Sequence, residues 1–180
     1  MIKIRKIPSE ILTVKVKEHK KYKQKLLDAI SELPFNNYHA AGVTDKKLAK
    51  SDWGLPREHP RKYLDIYYNE VIPSAMSEIT KYYKAQDWRI INSWYKTYDK
   101  DSYYPWHNHP ETHFSLVYFL ELPNSKFKTT IKINNKIINY KAGEGDLICF
   151  PAHLLHQSEK NKGGKKTVIV SNANIYYGVQ

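Results

Sequence analysis

Cysteine is nearly absent from this chain, which has one, Cys149, in 180 residues. A lone cysteine excludes disulfides within the chain and zinc sites built from clustered cysteines, and it fits a reducing compartment. Cys149 lies inside the apolar run 147–150. We therefore predict a packed, structural side chain at this position instead of a nucleophile.

Long apolar runs are also missing. No run reaches the roughly 18 to 20 residues that a membrane-spanning helix needs, and the lysine-rich start lacks the apolar segment and cleavage site of a signal peptide. Apolar residues make up 41% of the chain and aromatic residues 13%, which suffices for one well-buried core at this length. We expect a cytoplasmic protein with a single domain over residues 1–180 and no membrane partner.

Acidic residues are scarce relative to basic ones. The chain has 18 Asp and Glu against 29 Lys and Arg, for a formal net charge of +11. Such a charge attracts polyanions through counterion release, so a nucleic-acid partner is one interpretation. The densest lysine cluster, residues 15–25, continues into a helical pattern, and a solvated helix face is the favoured interpretation. The oligomeric state stays open.

The first half of the chain is mainly helical in its apolar spacing. Alternation over residues 12–16 predicts a short strand, and the stripe that follows predicts a helix that ends before Pro34. Residues 34–60 have no sustained period and are predicted to form a long irregular connection. Apolar residues at every third or fourth position over 64–83 predict a second helix, which Pro73 must kink or divide.

From residue 87 onward the apolar period changes to two and stays there. Asn134 and Asn135 join two predicted strands as a tight hairpin, because Asn tolerates the positive φ of such turns. Helices followed by antiparallel strands predict an α+β protein built around a jelly-roll-like double sheet. Residues 1–86 would support this core, and residues 87–180 would form it. The predicted strands are 88–98, 113–122, 127–133, 136–141, 146–150 and 166–175.

Histidines occupy two segments of the predicted double sheet. In the motif His107-Asn108-His109 two imidazoles lie on alternate residues of a predicted strand, so both point to the same side. Later in the chain the segment 145–151, Gly-Asp-Leu-Ile-Cys-Phe-Pro, leads to His156. Three imidazoles from two strands would hold a divalent transition metal and leave its opposite face open. Neutral imidazole suits iron, zinc, copper and nickel, so the ligands alone leave the metal undecided.

Other side chains near this motif compete for the same role. A lone His-x-His is more often a surface feature than a ligand pair, and the distant His156 is what favours a metal site. Glu111 is an alternative third ligand in place of His109. His113 is expected in the core or behind the ligands, and His153 is a weaker candidate in the turn.

Lys166 adds a cation to the predicted site. The loop 161–164, Asn-Lys-Gly-Gly, predicts a hairpin that brings His156 and Lys166 opposite each other on adjacent antiparallel strands. A cation just beyond a metal suits a dicarboxylate cofactor, which chelates the ion at one end and pairs with lysine at the other. Exposure of Lys166 to solvent is the competing interpretation in a lysine-rich chain.

Together these segments resemble the iron(II) and 2-oxoglutarate dependent oxygenases, in particular the small prolyl-hydroxylase-like branch found in bacteria and phages. The resemblance covers about residues 94–174. It implies a double-stranded β-helix fold, of the jelly-roll and cupin-like kind, with the helices packed on one face. The matching segments are 94–98 (WYKTY), 107–110 (HNHP), 115–120 (SLVYFL), 145–151 (GDLICFP) with His156, and 166–174 (KTVIVSNAN).

By this resemblance His107 and His156 bind iron, Lys166 holds the far carboxylate of 2-oxoglutarate, and Tyr98 lies near that carboxylate. His109 departs from the pattern, because most members have Asp or Glu at that place. The implied cofactors are Fe(II), 2-oxoglutarate as cosubstrate, and O2. The implied reaction is a hydroxylase-type oxidation of a small molecule or peptide, with succinate and CO2 as co-products.

Two other functions fit parts of the sequence. A cupin, acting as a metal-dependent dioxygenase or isomerase without 2-oxoglutarate, matches the same histidine segments but lacks the Glu that cupins place after the second His. A basic nucleic-acid-binding module would use the lysines and the fifteen tyrosines, which interleave near residues 94–104. Binding of 2-oxoglutarate to the iron-loaded protein separates the first two functions, and salt-dependent oligonucleotide binding would favour the third.

Overall fold

Two β-sheets and a layer of helices make up the fold. The structure, a computed structural model, describes residues 10–37, 42, 44–109 and 111–178. The helices are α1 (His19–Ser31), α2 (Lys62–Ile66) and α3 (Ile72–Tyr83). The strands are β1 (Leu12–Lys15), β2 (Lys50–Ser51), β3 (Asp87–Tyr98), β4 (Tyr104–His107), β5 (Phe114–Glu121), β6 (Thr130–Ile133), β7 (Lys136–Ile137), β8 (Asp146–Pro151), β9 (His156–Ser158) and β10 (Lys166–Tyr176). In the described ranges, no helix has the length and apolar character needed to cross a membrane.

The larger sheet has the strand order β1-β8-β5-β10-β3-β2, and the smaller sheet has the order β4-β9-β6-β7. Their inner faces share one apolar core. In it, Tyr104 and Ile131 of the smaller sheet lie in the same cluster as Phe119 and Phe150 of the larger sheet. The fold is the double-stranded β-helix, or jelly roll, that was predicted.

Helices cover the outer face of the larger sheet, as predicted. Leu26 of α1 and Met76 of α3 are buried in a second cluster with Leu116 and Tyr118 of β5. Successive β5 residues therefore point alternately into the helix-covered core and into the core between the sheets. A strand buried on both faces has a continuous apolar sequence, which explains why residues 115–120 lack polar alternation.

The second predicted helix is divided in an unexpected way. A π-helical turn, Tyr67–Val71, joins α2 directly to α3. Pro73 lies in the first turn of α3, directly after the π-helical turn, in which the N–H of Ile72 donates to the oxygen of Tyr67. The interruption predicted at Pro73 is therefore a change of helix type and not a break in the chain's helical path.

The predicted hairpin is present, but two predicted strands are shorter than expected. Asn134 and Asn135 have φ values of 49° and 62°, and Ile133 pairs with Lys136 across the turn. Only Thr130–Ile133 of the segment 127–133 forms a strand, after a 3-10 turn at Ser125–Phe127, and only Lys136–Ile137 of the segment 136–141 does so. Cys149 is fully buried, as predicted.

Candidate metal centre

Three histidine rings meet between the two sheets. His107 of β4 and His156 of β9 are direct partners in the smaller sheet, and their ring centroids lie 4.2 Å apart. The ring centroid of His109 is 5.0 Å from that of His107 and 5.2 Å from that of His156. One ring nitrogen from each lies within 4.8 Å of the other two. The structure brings together the three histidines that the sequence singled out.

His109 reaches this site by a different route from the predicted one. Strand β4 ends at His107, so strand alternation does not place His109. Instead, the backbone N–H of His109 donates to the carbonyl oxygen of Ala152 at 2.8 Å. Ala152 belongs to the turn between β8 and β9. This contact holds the backbone of His109 against the turn that leads to His156.

Backbone carbonyls orient two of the imidazoles. Nδ1 of His107 lies 2.8 Å from the oxygen of Pro105, and Nδ1 of His156 lies 3.0 Å from the oxygen of Leu154. A carbonyl only accepts, so each Nδ1 carries the proton and each Nε2 keeps the lone pair that a metal needs. Nε2 of His109 is buried and has no hydrogen-bond partner in the part of the chain that the structure describes. A metal ion would satisfy that nitrogen.

Burial keeps the three imidazoles neutral. Desolvation, reinforced by the charge of His156, lowers the pKa of His107 to about 2 and that of His109 to about 3. Desolvation also lowers the pKa of His156 to about 4. Neutral imidazole is the form that coordinates a metal. A centre with these three ligands fits a divalent ion and contributes no negative charge to it.

Lys166 lies beside Ser158 and Tyr98, and its predicted position was wrong. It was expected beside His156 on an adjacent strand, but it pairs with Tyr98 of β3 in the larger sheet. The segment between β9 and β10 crosses from one sheet to the other instead of forming a hairpin. The side chain of Asn161 fixes this crossing by donating to the carbonyl oxygens of Tyr98 and Gly164.

The Lys166 ammonium nevertheless faces the smaller sheet. Its Nζ donates to Ser158 Oγ at 2.7 Å and to the carbonyl oxygen of Phe127 at 2.8 Å, and it lies 4.3 Å from the centre of the Tyr98 ring. The side chain is fully buried, and burial lowers its pKa to about 7. No carboxylate within the described residues forms an ion pair with it. A buried ammonium held only by neutral groups suits an incoming anion.

A narrow cavity connects the histidines to the neighbours of Lys166. His107 and His156 line one part of it, and Tyr98 and Ser158 line another. Its free space of about 20 Å³ is enough for roughly one water molecule. The charges and polar groups therefore fit a dicarboxylate, but such a molecule enters only if the surrounding side chains move apart.

The other predicted candidates lie outside the cluster. Glu111, His113 and His153 are exposed, and none belongs to the group of potential metal ligands found in the described residues. The expectation that His113 lies in the core or behind the ligands was wrong, since its Nδ1 accepts from the backbone N–H of Ile175 at the surface. Glu111 therefore does not replace His109.

Sequence reasoning missed Lys96. Lys96 lies on β3, is 4% exposed, and has its Nζ 3.2 Å from the centre of the Tyr104 ring. Burial lowers its pKa to about 7, and its charge contributes to the low pKa values of all three histidines. Trp53 packs edge-to-face on Trp94, with centroids 4.6 Å apart. The alternation Trp94-Lys96-Tyr98, a lysine on an aromatic strand face, was the signal available for Lys96.

Comparison with known proteins identifies relatives by structure only. No family model matches the sequence, and no curated protein matches it. Among solved structures, a 2OG-Fe(II) oxygenase family oxidoreductase from Burkholderia pseudomallei superposes with a TM-score of 0.65 and 13% identity, over 91% of this chain and 84% of that one. A viral collagen prolyl hydroxylase from Paramecium Bursaria Chlorella virus-1, solved with 2OG, gives a TM-score of 0.59 and 15% identity, over 93% and 96%.

A third neighbour is a prolyl hydroxylase from Trichoplax adhaerens, solved with a peptide fragment of the hypoxia inducible factor oxygen degradation domain. Its TM-score is 0.64 at 14% identity, over 90% of this chain and 82% of that one. At these identities the likeness establishes the fold, which is the one that these oxygenases share. What this chain does must be inferred from its own residues.

Proposed function

We propose that this protein is a non-haem iron(II) enzyme that uses 2-oxoglutarate and O2 to oxidise an organic substrate, with succinate and CO2 as co-products. One observation carries the proposal: the group of His107, His109 and His156, in a cavity also lined by Ser158, which accepts from the buried Lys166 ammonium. The fold shared with solved 2OG-Fe(II) oxygenases supports it.

Each residue of the site has a distinct task in this proposal. The three histidines would hold Fe(II), which supplies the oxidising chemistry and keeps coordination positions for 2-oxoglutarate and O2. Lys166 and the Ser158 hydroxyl would bind the far carboxylate of the cosubstrate, with the Tyr98 ring against the ammonium. The carbonyls that accept from His107 and His156 hold both rings in the coordinating tautomer.

Metal uptake is the first test. His107→Ala and His156→Ala are each expected to abolish iron binding, because each removes one of only three protein ligands. Iron content is measured on protein purified without added metal, and succinate release is assayed with 2-oxoglutarate under air. His113→Ala is the matched control, because His113 is exposed and outside the cluster. Full iron occupancy in the His107→Ala, His156→Ala double variant would refute the assignment.

A cupin-type dioxygenase or isomerase, which needs no 2-oxoglutarate, is the second candidate. The narrow cavity favours it, since the free space between the histidines and the neighbours of Lys166 is close to that of one water molecule. Titration of the Fe(II)-loaded protein with 2-oxoglutarate under nitrogen separates the candidates. A visible charge-transfer band that depends on Lys166 supports the oxygenase, and its absence in a fully iron-loaded protein supports the cupin-type enzyme.

A further inference from the structure

A second cleft lies beside the histidines. The indole rings of Trp53 and Trp94 line it, together with Lys96, Asn108 and the two ligands His107 and His109. Tyr98, His156 and Ser158 line the narrow cavity but not this cleft, whereas four residues line both spaces: Trp94, Lys96, Tyr104 and His107. A molecule bound here would contact the metal centre and the aromatic walls at once.

Lys96 is the unusual member of this cleft. It is 4% exposed and lies on β3, which pairs with β2 and β10 in the larger sheet. In the described residues its Nζ has no hydrogen-bond or ion-pair partner, and its contact is with the face of the Tyr104 ring. Lys166, by contrast, has two neutral acceptors. A buried ammonium without an acceptor is unfavourable unless a ligand provides one.

The charge of the loaded site also calls for an anion. Iron(II) would bring two positive charges, the three imidazoles are neutral, and Lys96 and Lys166 are both cations when protonated. 2-Oxoglutarate would bring two negative charges, and its far carboxylate would pair with Lys166. The charge of Asp52 acts on the pKa of Lys96. The Asp52 carboxylate, however, already accepts from Arg61 and from the hydroxyl of Tyr63. Within the described residues, no carboxylate forms an ion pair with Lys96.

We infer that the substrate is an organic anion whose carboxylate pairs with Lys96, while its apolar part lies against the packed pair of Trp53 and Trp94. This inference rests on the proposed function. Because Lys96 and His109 line the same cleft, the oxidised carbon lies close to that carboxylate. The indole walls exclude water, which strengthens the ion pair.

Tryptophan fluorescence tests this directly, because two indoles line the cleft. The protein is loaded with Mn(II) in place of iron, saturated with 2-oxoglutarate under nitrogen, and titrated with acetate, benzoate and phenylacetate and with the neutral amide of each. The wild type is expected to bind at least one carboxylate about tenfold or more tightly than its amide, as a charge-assisted hydrogen bond allows. Lys96→Met should abolish that preference, and Lys96→Arg should retain it.

A matched control keeps the experiment specific. Lys132, like Lys96, places its Nζ over an aromatic ring, 4.0 Å from the Trp106 ring centre, but it does not line the cleft. Lys132→Met should therefore leave the preference for carboxylates unchanged. Bound Mn(II) and 2-oxoglutarate are measured in every variant, and Lys96→Met should keep both.

Three outcomes would overturn the inference. One is a loaded wild type that binds no carboxylate of the series better than its amide. Another is a Lys96→Met variant that loses 2-oxoglutarate as strongly as Lys166→Met, with the carboxylates competing against 2-oxoglutarate; Lys96 then serves the cosubstrate, and the proposed function stands. The last is a wild type that takes up neither metal nor 2-oxoglutarate, in which case the proposed function fails and this inference fails with it.

Discussion

Replacing Lys166 by methionine is expected to stabilise the ligand-free protein and to remove tight binding of 2-oxoglutarate. Methionine keeps an unbranched apolar stem but carries no charge. In the wild type the ammonium donates to Ser158 Oγ and to the oxygen of Phe127, both neutral acceptors. These two acceptors therefore leave the charge of Lys166 without compensation until an anion binds.

The size of the stabilisation follows from the pKa of Lys166, which burial lowers from 10.5 to about 7. Above about pH 10.5 the lysine is neutral in both the folded and the unfolded state, so it costs nothing. As the pH falls, the unfolded chain takes up a proton that the folded protein lacks, and stability declines until the pH reaches about 7. The full penalty is about 5 kcal/mol at 1.36 kcal/mol per pKa unit.

In Lys166→Met, the stability gained by removing the buried charge is partly offset. Losing two hydrogen bonds and leaving their acceptors buried costs about 2 to 3 kcal/mol, so the expected net stabilisation at pH 7 is on the order of 2 kcal/mol. The affinity for 2-oxoglutarate should fall by about 100-fold, which corresponds to removing one partner of a buried charge pair.

Urea denaturation of the ligand-free protein at pH 7 and pH 9 measures the stability, and calorimetry of the Mn(II)-loaded protein under nitrogen measures the affinity. Lys165→Met is the matched control, because Lys165 is the exposed neighbour in sequence, and it should change neither quantity. A Lys166→Met variant that is less stable than the wild type at pH 7, or that binds 2-oxoglutarate equally well, would refute this reasoning.

Two further predictions concern pH and backbone geometry. An arriving carboxylate raises the pKa of Lys166 above about 7, so 2-oxoglutarate affinity should fall by up to about tenfold per pH unit above that value, with proton uptake visible in calorimetry; constant affinity between pH 7 and 9 would contradict it. Gly145 has a φ of +82°, and an added Cβ would lie 2.9 Å from Cγ of His19. Gly145→Ala should therefore lower the free energy of unfolding, measured by thermal denaturation, by about 1 to 3 kcal/mol. Gly143→Ala is the control, because the nearest atom to its added Cβ is 3.9 Å away. Equally small effects of the two substitutions would count against strain at Gly145.

Local patterns were enough to predict most of the fold. The Asn134-Asn135 turn and the long strands β3, β5 and β10 follow from side-chain periodicity and turn chemistry, which act between neighbours in sequence. Strands 127–133 and 136–141 were overestimated, because apolar alternation does not reveal where a strand loses its pairing partner. The π-helical turn before Pro73 has no comparable sequence signal.

The candidate site was harder to predict because it depends on which sheet each strand joins. The loop 161–164 has turn chemistry, but the sequence does not tell whether it joins neighbours in one sheet or crosses between two, and the position of Lys166 was wrong for that reason. His109 meets the other ligands through a backbone contact to Ala152 and not through strand alternation. Lys96 was overlooked as one lysine among many, although its strand neighbours are aromatic.

Several predictions lie beyond the fold and the site. The single domain with its boundary after residue 86, the cytoplasmic location and the nucleic-acid partner stay predictions. The fold alone does not distinguish a peptide substrate from a small molecule.

The main-chain attachment of His109 bears on how such a centre can change over evolution. Its amide is tied to Ala152, while the other two ligands are locked into paired strands. Exchanging the ring at position 109 for a carboxylate would thus alter the ionic character of the centre and leave every strand pairing intact. Substitution at this one position could therefore change the chemistry of the proposed centre during evolution, whereas loss of His107 or His156 would remove a proposed ligand that the β4–β9 pair holds in place.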